Sequence, residues 1–514
     1  MLEQRDRIAL GGSLIAEFSA FLSARMGLHF PAERQGDLER GLAAAAREFG
    51  FGDIDSCLRS LLASAPTRSR LETLASHLTV GETYFFRERQ SFECLERHVL
   101  PDLVRSRRAG ERRLRIWSAG CSTGEEPYSI AIVLARAIPD ASDWNISILA
   151  TDINPRVLRR ATRGIYGDWS FRDTPEGIRE TFFAKTKDGR FEISERIRSM
   201  VTFGYLNLAE DTYPSVENAT NAMDIVFCRN VLMYFEPAQS RRVLEKLGRS
   251  LMNEGWLFVN PVEISNAAVP QLATVNLPGA IVYRKGARPA SAGAELPAIP
   301  AWLPAAPVVS QAPADFVAGS KPPEIPPQRW REIPVAPEAE RAEPEVFASM
   351  PHEQAASLYA LGRYTEAAVI LREAIAQDSG DAKAMALLAR CCANQGDLAE
   401  ARKWCSQAVA ADKLNPGWHY LLATIVQEQG AAEEAVAALR RALYLDQDHA
   451  LAHFALGNLI RRQGKLKTSE RHYRNALAIL RGCAQEQVLP ESEGITAGRL
   501  AEIIRSSLSS EVSA

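Results

Sequence analysis

The stretch RLRIWSAGCSTGEEPYSIAIVLARA, Arg113–Ala137, decides the fold. Its first seven residues read as a buried strand and its last thirteen as a helix, with Gly120 and Gly124 in the turn between them. A strand, a glycine turn and a helix in that order open an α/β domain whose ligands sit beyond the carboxyl ends of the strands. Glu125 and Glu126 follow the second glycine directly. A phosphate cradle relies on backbone N–H groups, the positive end of a helix and usually a lysine, so two acids there argue against a polyphosphate. The plainer alternative makes them helix N-terminal charges favoured by the dipole.

Working outward, the β runs RLRIWSA, NISILATD, MDIVFCRN, GWLFVNP and AIVYRK alternate with helical stretches between residues 106 and 285, predicting an α/β domain with a mainly parallel sheet. Before it, residues 10–105 have apolar positions at spacings of three and four and read as a helical N-terminal module. After it, residues 286–346 hold 13 of the chain's 28 prolines and few aliphatic residues, the composition of an extended linker that buries no core. Beyond the linker the chain repeats: Gly362, Gly396, Gly430 and Gly464 stand 34 residues apart, followed at a fixed offset by Ala367, Ala401, Ala435 and Ser469, and again by Ala374, Ala408, Ala442 and Ala476. This period resembles tetratricopeptide repeats, four of them over residues 348–483, an all-α solenoid with Leu388, Leu422 and Leu456 in its core. Residues 484–514, with GITAGRLAEIIRSSL, then read as a capping helix and tail. A linker of this length predicts that the repeats tether the α/β domain to an assembly rather than fold back on it.

Bulk properties narrow the function. The 60 basic and 63 acidic residues of the 514-residue chain give a net charge of −3, which points neither to nucleic acid nor to a membrane surface. The eight cysteines lack metal-type spacing and predict reduced, buried thiols and a cytoplasmic protein, with no apolar run long enough for membrane insertion. The basic run VRSRRAGERR, with Arg105, Arg107, Arg108, Arg112 and Arg113, reads as a solvated loop.

S-adenosylmethionine carries an ammonium, a sulfonium and two ribose hydroxyls but no phosphate, which suits an acidic glycine turn. Asp152, ending ISILATD, stands where an α/β nucleotide fold places an acid on the ribose. Five motifs sharpen this: LTVGETYFFRE (78–88), WSAGCSTGEEPYSIA, ATDIN, Asn207–Leu208 and FCRNVLMYF (227–235). In order and spacing they resemble the CheR family of chemotaxis receptor methyltransferases over residues 10–285. The resemblance implies a Rossmann-like, S-adenosylmethionine-dependent protein-glutamate O-methyltransferase whose substrate is the cytoplasmic helices of methyl-accepting chemoreceptors. It implies that Thr83, Arg87, Glu126, Asp152, Asn207, Leu208, Asn230 and Val231 contact the cofactor, and that Arg87 and Tyr234 border the methyl and the incoming carboxylate; no metal is called for. Two departures stand out. Gly81 replaces a frequent asparagine, and NPVE (260–263) replaces Gly-His-Ser-Glu while keeping Glu263.

The family also inserts a small β subdomain, placed here at 166–203, which in some relatives grips a receptor's tail peptide; the short turn in AKTKDGRFEI predicts no such dependence. Arg34, Arg40 and Arg47 occupy the region of a receptor-facing basic helix, interrupted by Glu33, Asp37 and Glu39. The repeats predict an unidentified protein or peptide partner. The alternative function is a scaffold or cofactor sensor with weak or no transferase activity; intact Arg87, Glu126, Asp152 and Tyr234 argue against it.

Overall fold

The computed structural model describes residues 2–63, 67–107, 112–210, 212–216, 218–260, 263, 269–286, 351–485, 487–492 and 495–509. The proline-rich linker lies outside the described residues, as does Arg108 of the basic run.

Among the described residues the α/β domain holds ten strands: β1 (Arg113–Ala119), β2 (Asn145–Asp152), β3 (Ile165–Tyr166), β4 (Phe183–Lys185), β5 (Phe191–Ile193), β6 (Val201–Tyr205), β7 (Met223–Phe227), β8 (Leu251–Phe258), β9 (Leu272–Leu277) and β10 (Ala280–Lys285). Seven form the main sheet in the order β6-β2-β1-β7-β8-β10-β9. The first five in that order run parallel, and β10 and β9 close one edge antiparallel. Strand β1 lies at the centre with all seven residues buried, so its near-continuous apolar run needs no alternation. Switching order on either side of β1 leaves a crevice at its carboxyl end, where the glycine turn sits.

The β subdomain is a three-stranded sheet, β3-β5-β4, closed by a turn at residues 186–190. The boundary expected at 203 needs correction. Val201–Tyr205 pairs with β2 as the edge of the main sheet, in register from Ile148↔Val201 through Asp152↔Tyr205, with Val201 buried. The N-terminal module is built from helices at Leu2–Met26, Gln35–Glu48, Ile54–Ala63 and Arg68–Leu78 around Phe18, Leu22, Leu42, Leu58 and Leu74.

The basic run is not a solvated loop throughout. Arg107 reaches buried Asp224 at 2.6 Å, and Arg113 is 3% exposed at the start of β1, whereas Arg105 and Arg112 pair with Asp102 and Asp143 near the surface. Arg107 is drawn partly in by Asp224, whose side chain is 1% exposed and whose other oxygen accepts the Arg115 N–H; an unpaired acid there would be costly. All eight cysteines are free thiols. Among the described residues no helix is long and apolar enough to cross a membrane.

Eight helices make the repeats: Pro351–Ala360 with Tyr364–Gln377, Ala382–Asn394 with Leu398–Ala411, Pro416–Glu428 with Ala432–Leu445, and Ala450–Arg462 with Leu466–Leu480. Each turn glycine takes a left-handed φ of 74–84°, which only glycine adopts without cost. Ala367, Ala401, Ala435 and Ser469 are fully buried where paired helices touch, and the Ser469 hydroxyl donates to the Gly457 carbonyl. The helix Ala497–Ser509 covers the last repeat through Leu500 and Ile504.

Tethered, separate domains are not what the structure shows. The helix-to-helix turns of the first three repeats pack on the amino ends of the strands. Arg115 of β1 meets Glu428 at 2.8 Å with 5% and 9% of the two side chains exposed. Around it, Asn221 donates to the Ala393 carbonyl, Asn145 to the Glu428 carbonyl and Arg249 to the Leu361 carbonyl, while Val216 joins the apolar core of the repeats. A linker's composition sets its reach, not whether the domains it joins are complementary.

Candidate functional site

Five segments converge on a cavity of about 1110 Å³, including its open mouth, at the carboxyl ends of β1, β2, β6 and β7. Thr83 and Arg87 enter from the segment before the sheet and Glu126 from the helix Glu125–Ala137. Asp152 ends β2, Asn207 and Leu208 follow β6, and Asn230, Val231 and Tyr234 follow β7. All nine residues singled out in the sequence therefore line one space. Glu125 does not: it is 3% exposed and turns away, accepting from the Thr123 and Ser170 hydroxyls at 2.6 and 3.0 Å.

Local geometry explains the glycine turn. Gly120 has φ 81°, and a Cβ there would lie 2.4 Å from Val231 Cγ2, so only glycine lets the two loops close over the cavity floor. Ser122 and Asn230 line the cavity with left-handed φ values, and Phe86 and Glu88, on either side of Arg87, share that conformation, the kind of backbone strain that surrounding structure must enforce.

The two central acids are held differently. Asp152 Oδ2 accepts the Ser122 N–H at 2.9 Å and Oδ1 the Asn154 N–H at 2.8 Å, which fixes the carboxylate and leaves lone pairs on both oxygens facing the cavity wall. Glu126 accepts from the Ser118 hydroxyl at 2.8 Å and lies 3.4 Å from Arg229. Burial pushes both carboxyls above their ordinary values; backbone N–H bonds oppose this at Asp152 and the Arg229 charge opposes it at Glu126. Ligand binding that requires both anions should accordingly weaken on acidification from a pH above about 4, where exposed carboxylates titrate. Isothermal titration of wild type and of the Asp152→Asn and Glu126→Gln variants down to the acid limit of folding checks this; a pH dependence unchanged in both variants would remove the two acids from the contact.

Arg87 Nη1 donates to the Glu82 carbonyl at 2.6 Å, with its guanidinium 5.8 Å from the Tyr84 ring, so the group is aimed along the mouth and not spent on a carboxylate. Tyr234 is braced by the N-terminal module: its carbonyl accepts the His29 N–H at 2.7 Å and Arg34 lies over its ring at 5.1 Å. Arg34 thus belongs to the cavity wall, while Arg40 pairs with Asp37 and Arg47 turns back on the Ala43 carbonyl. The Asn207 amide is committed to the Arg25 carbonyl at 2.8 Å and ties the same module down.

Sequence reasoning missed two supports, Arg229 and Glu88, and left a third, Glu263, without a role. Arg229, 2% exposed, bridges Glu88 at 3.0 Å and Glu126, and donates to the Arg87 carbonyl. Glu263 accepts the backbone N–H groups of Asn230, Met233 and Asn260, bracing the loop that carries Tyr234. Glu88 and Arg229 both sit inside quoted motifs as opposite charges, and that was the available signal. Gly81, in contrast, has room: a Cβ would rest 3.5 Å from Ser122 Oγ in ordinary contact.

The CheR methyltransferase, SAM binding domain family matches residues 81–272, and tetratricopeptide repeat families match 358–425 and 420–482. A probable chemotaxis protein methyltransferase of Rhizobium etli is 35% identical over 43% of this chain and 81% of its own length. A chemotaxis protein methyltransferase of Borreliella burgdorferi is 30% identical over 46% of this chain and 83% of its own. The probable biofilm formation methyltransferase WspC of Pseudomonas aeruginosa is 33% identical over 53% of this chain and 63% of its own. With Asp152 and Glu126 in a cavity at the sheet's switch point and relatives matched over most of their length, the chain belongs to the chemotaxis protein methyltransferase family, its cofactor S-adenosylmethionine.

Proposed function

We propose that this chain methylates glutamate side chains on the cytoplasmic helices of a chemoreceptor, producing methyl esters in chemosensory signalling, and that its repeats hold a partner at a fixed position behind the enzyme. The observation that carries the reading is the cavity itself: two acids, a neutralised arginine and an unspent Arg87 at the mouth.

The residues present fit a cationic nucleoside. Asp152 would hold the ribose, Glu126 with Arg229 would balance charge, and the glycine turn allows close approach of the backbone. When bound, S-adenosylmethionine supplies an electrophilic methyl group on its sulfonium. The rest falls to the protein. An incoming glutamate is ionised at neutral pH, with a reference pKa of about 4.3, so no general base is required. Arg87 orients that carboxylate and Tyr234 bounds its approach, so the gain is in proximity and exclusion of water. Exposed Val80 and Met233 beside the cavity, and Trp169 beside Arg172 on the Tyr84 ring, offer apolar flanks to a helix and favour a protein substrate over a free small carboxylate.

Incubating the full chain with methyl-labelled S-adenosylmethionine and receptor-bearing membranes tests the proposal. Label released as methanol by mild alkali is the expected result; alkali-stable label would overturn it. Arg87→Ala should lower turnover about tenfold or more, the effect of roughly 1.4 kcal/mol in the barrier, with little change in cofactor affinity. Unchanged turnover at saturating receptor would take Arg87 out of carboxylate placement.

A further inference from the structure

A short helical turn, Asp168–Phe171, follows β3 in the β subdomain and grips the loop that carries Thr83 and Arg87. Phe171 stacks on Phe85 at 5.0 Å and meets Phe183 edge-on at 4.9 Å, and the Ser170 carbonyl accepts the Phe85 N–H at 2.9 Å. The loop is thereby fastened to the subdomain. Arg172, next in the chain, reaches Glu82 and Tyr84 of the cavity wall.

Its guanidinium is held by polar and aromatic contacts together. Nη1 donates to the Trp169 carbonyl at 2.9 Å and Nη2 to Glu82 Oε1 at 3.2 Å, while the group lies 3.7 Å from the centre of the Tyr84 ring and 4.5 Å from that of Trp169. The Tyr84 hydroxyl donates to the Asp173 carboxylate, which steadies the ring. The consequence falls on Arg87. Its Nη1 already donates to the Glu82 carbonyl at 2.6 Å, so the carboxylate on that same residue can reach the guanidinium by rotating about its own side-chain bonds. With 64% of the Glu82 side chain exposed, packing does not prevent this. Arg172 does, by taking the carboxylate.

We infer that Arg172 is a positioning residue for methyl transfer: by holding the Glu82 carboxylate it keeps that acid off Arg87 and leaves Arg87 for the carboxylate of the substrate. The inference rests on the role proposed above for Arg87. A substrate glutamate and Glu82 present the same group, so the two compete for one guanidinium. Stacking on Tyr84 and Trp169 makes Arg172 the better-fixed partner, because a planar guanidinium on aromatic faces loses less freedom when it binds. The pair sets which arginine Glu82 engages and adds little to folding, as is usual for exposed ion pairs.

Arg172→Ala in the full-length chain should lower turnover at saturating receptor about three- to fivefold, the share of Arg87 that an exposed ion pair with the released Glu82 would sequester. Adding Glu82→Gln should restore it, since a neutral amide does not compete as a carboxylate does. A merely structural fault would not be cured by a second substitution. In an Arg87→Ala background, Arg172→Ala should cost nothing further, because the group it protects is gone. Where a lowered thermal midpoint shows that the alanine variant has loosened the subdomain, Arg172→Met keeps the packing over Tyr84 without the charge and should behave alike. Unchanged turnover, failure of Glu82→Gln to restore it, or an added loss on Arg87→Ala overturns the role while wild type still forms the alkali-labile ester. A wild type that forms none removes the proposed function itself, and this role with it.

Discussion

Replacing Glu428 with alanine should destabilise the full chain by about 3 kcal/mol, the low end for leaving a buried charge without its partner. Arg115 would keep Asn221 and the Ala219 carbonyl at 3.4 and 2.7 Å, which moderates the loss, but its charge would remain sealed beneath the repeats. Chemical denaturation followed by circular dichroism measures it, and Arg115→Met with Glu428→Leu should recover most of the stability by removing both charges. Were the repeats only tethered, the single variant would change nothing. The same contact bears on truncation. A chain ending near residue 290 uncovers Arg115, Val216 and Met252 together, so it should lose stability as well as any targeting.

Asp152→Ala should weaken S-adenosylmethionine binding by roughly 1.5–3 kcal/mol, which is about 10- to 150-fold. Two losses combine: the ligand loses an anionic acceptor, and the Ser122 and Asn154 N–H groups lose the oxygens that set the glycine turn. Burial raises the folded-state pKa of this carboxyl above its unfolded value, so its ionisation opposes folding as pH rises through that range. The alanine variant should therefore keep its thermal midpoint at pH 7 far better than its affinity. Calorimetry showing wild-type affinity in a folded variant would remove Asp152 from the site.

What could be read from the sequence was local or periodic. Arg113–Ala137 declares strand, turn and helix within 25 residues, and the glycines at 362, 396, 430 and 464 declare the solenoid by their spacing. The site residues converged because each follows a strand whose carboxyl end faces one crevice. Strand β9 was overlooked because LATVNL is half-exposed at the sheet edge, with only Ala273 buried. Pairings over long separations had no local signature: Arg229 with Glu88, Arg115 with Glu428, His449 with Glu491. The last two depend on how a repeat surface curves, which a 34-residue period leaves open.

The four turn glycines differ in what stands in front of them. A Cβ on Gly362 would come within 2.5 Å of Arg249, on Gly396 within 2.7 Å of Met252 and on Gly430 within 3.3 Å of Asn145, while Gly464 has nothing within 4 Å. The array is thus clamped at its first repeats and projects at its last, a cantilever on the enzyme's rear. Length can be added at the free end without disturbing the clamp, whereas inserting or deleting a unit near the root would put the wrong surface against the strands. The sheet sets the beam's direction, and the number of repeats past the third sets its reach.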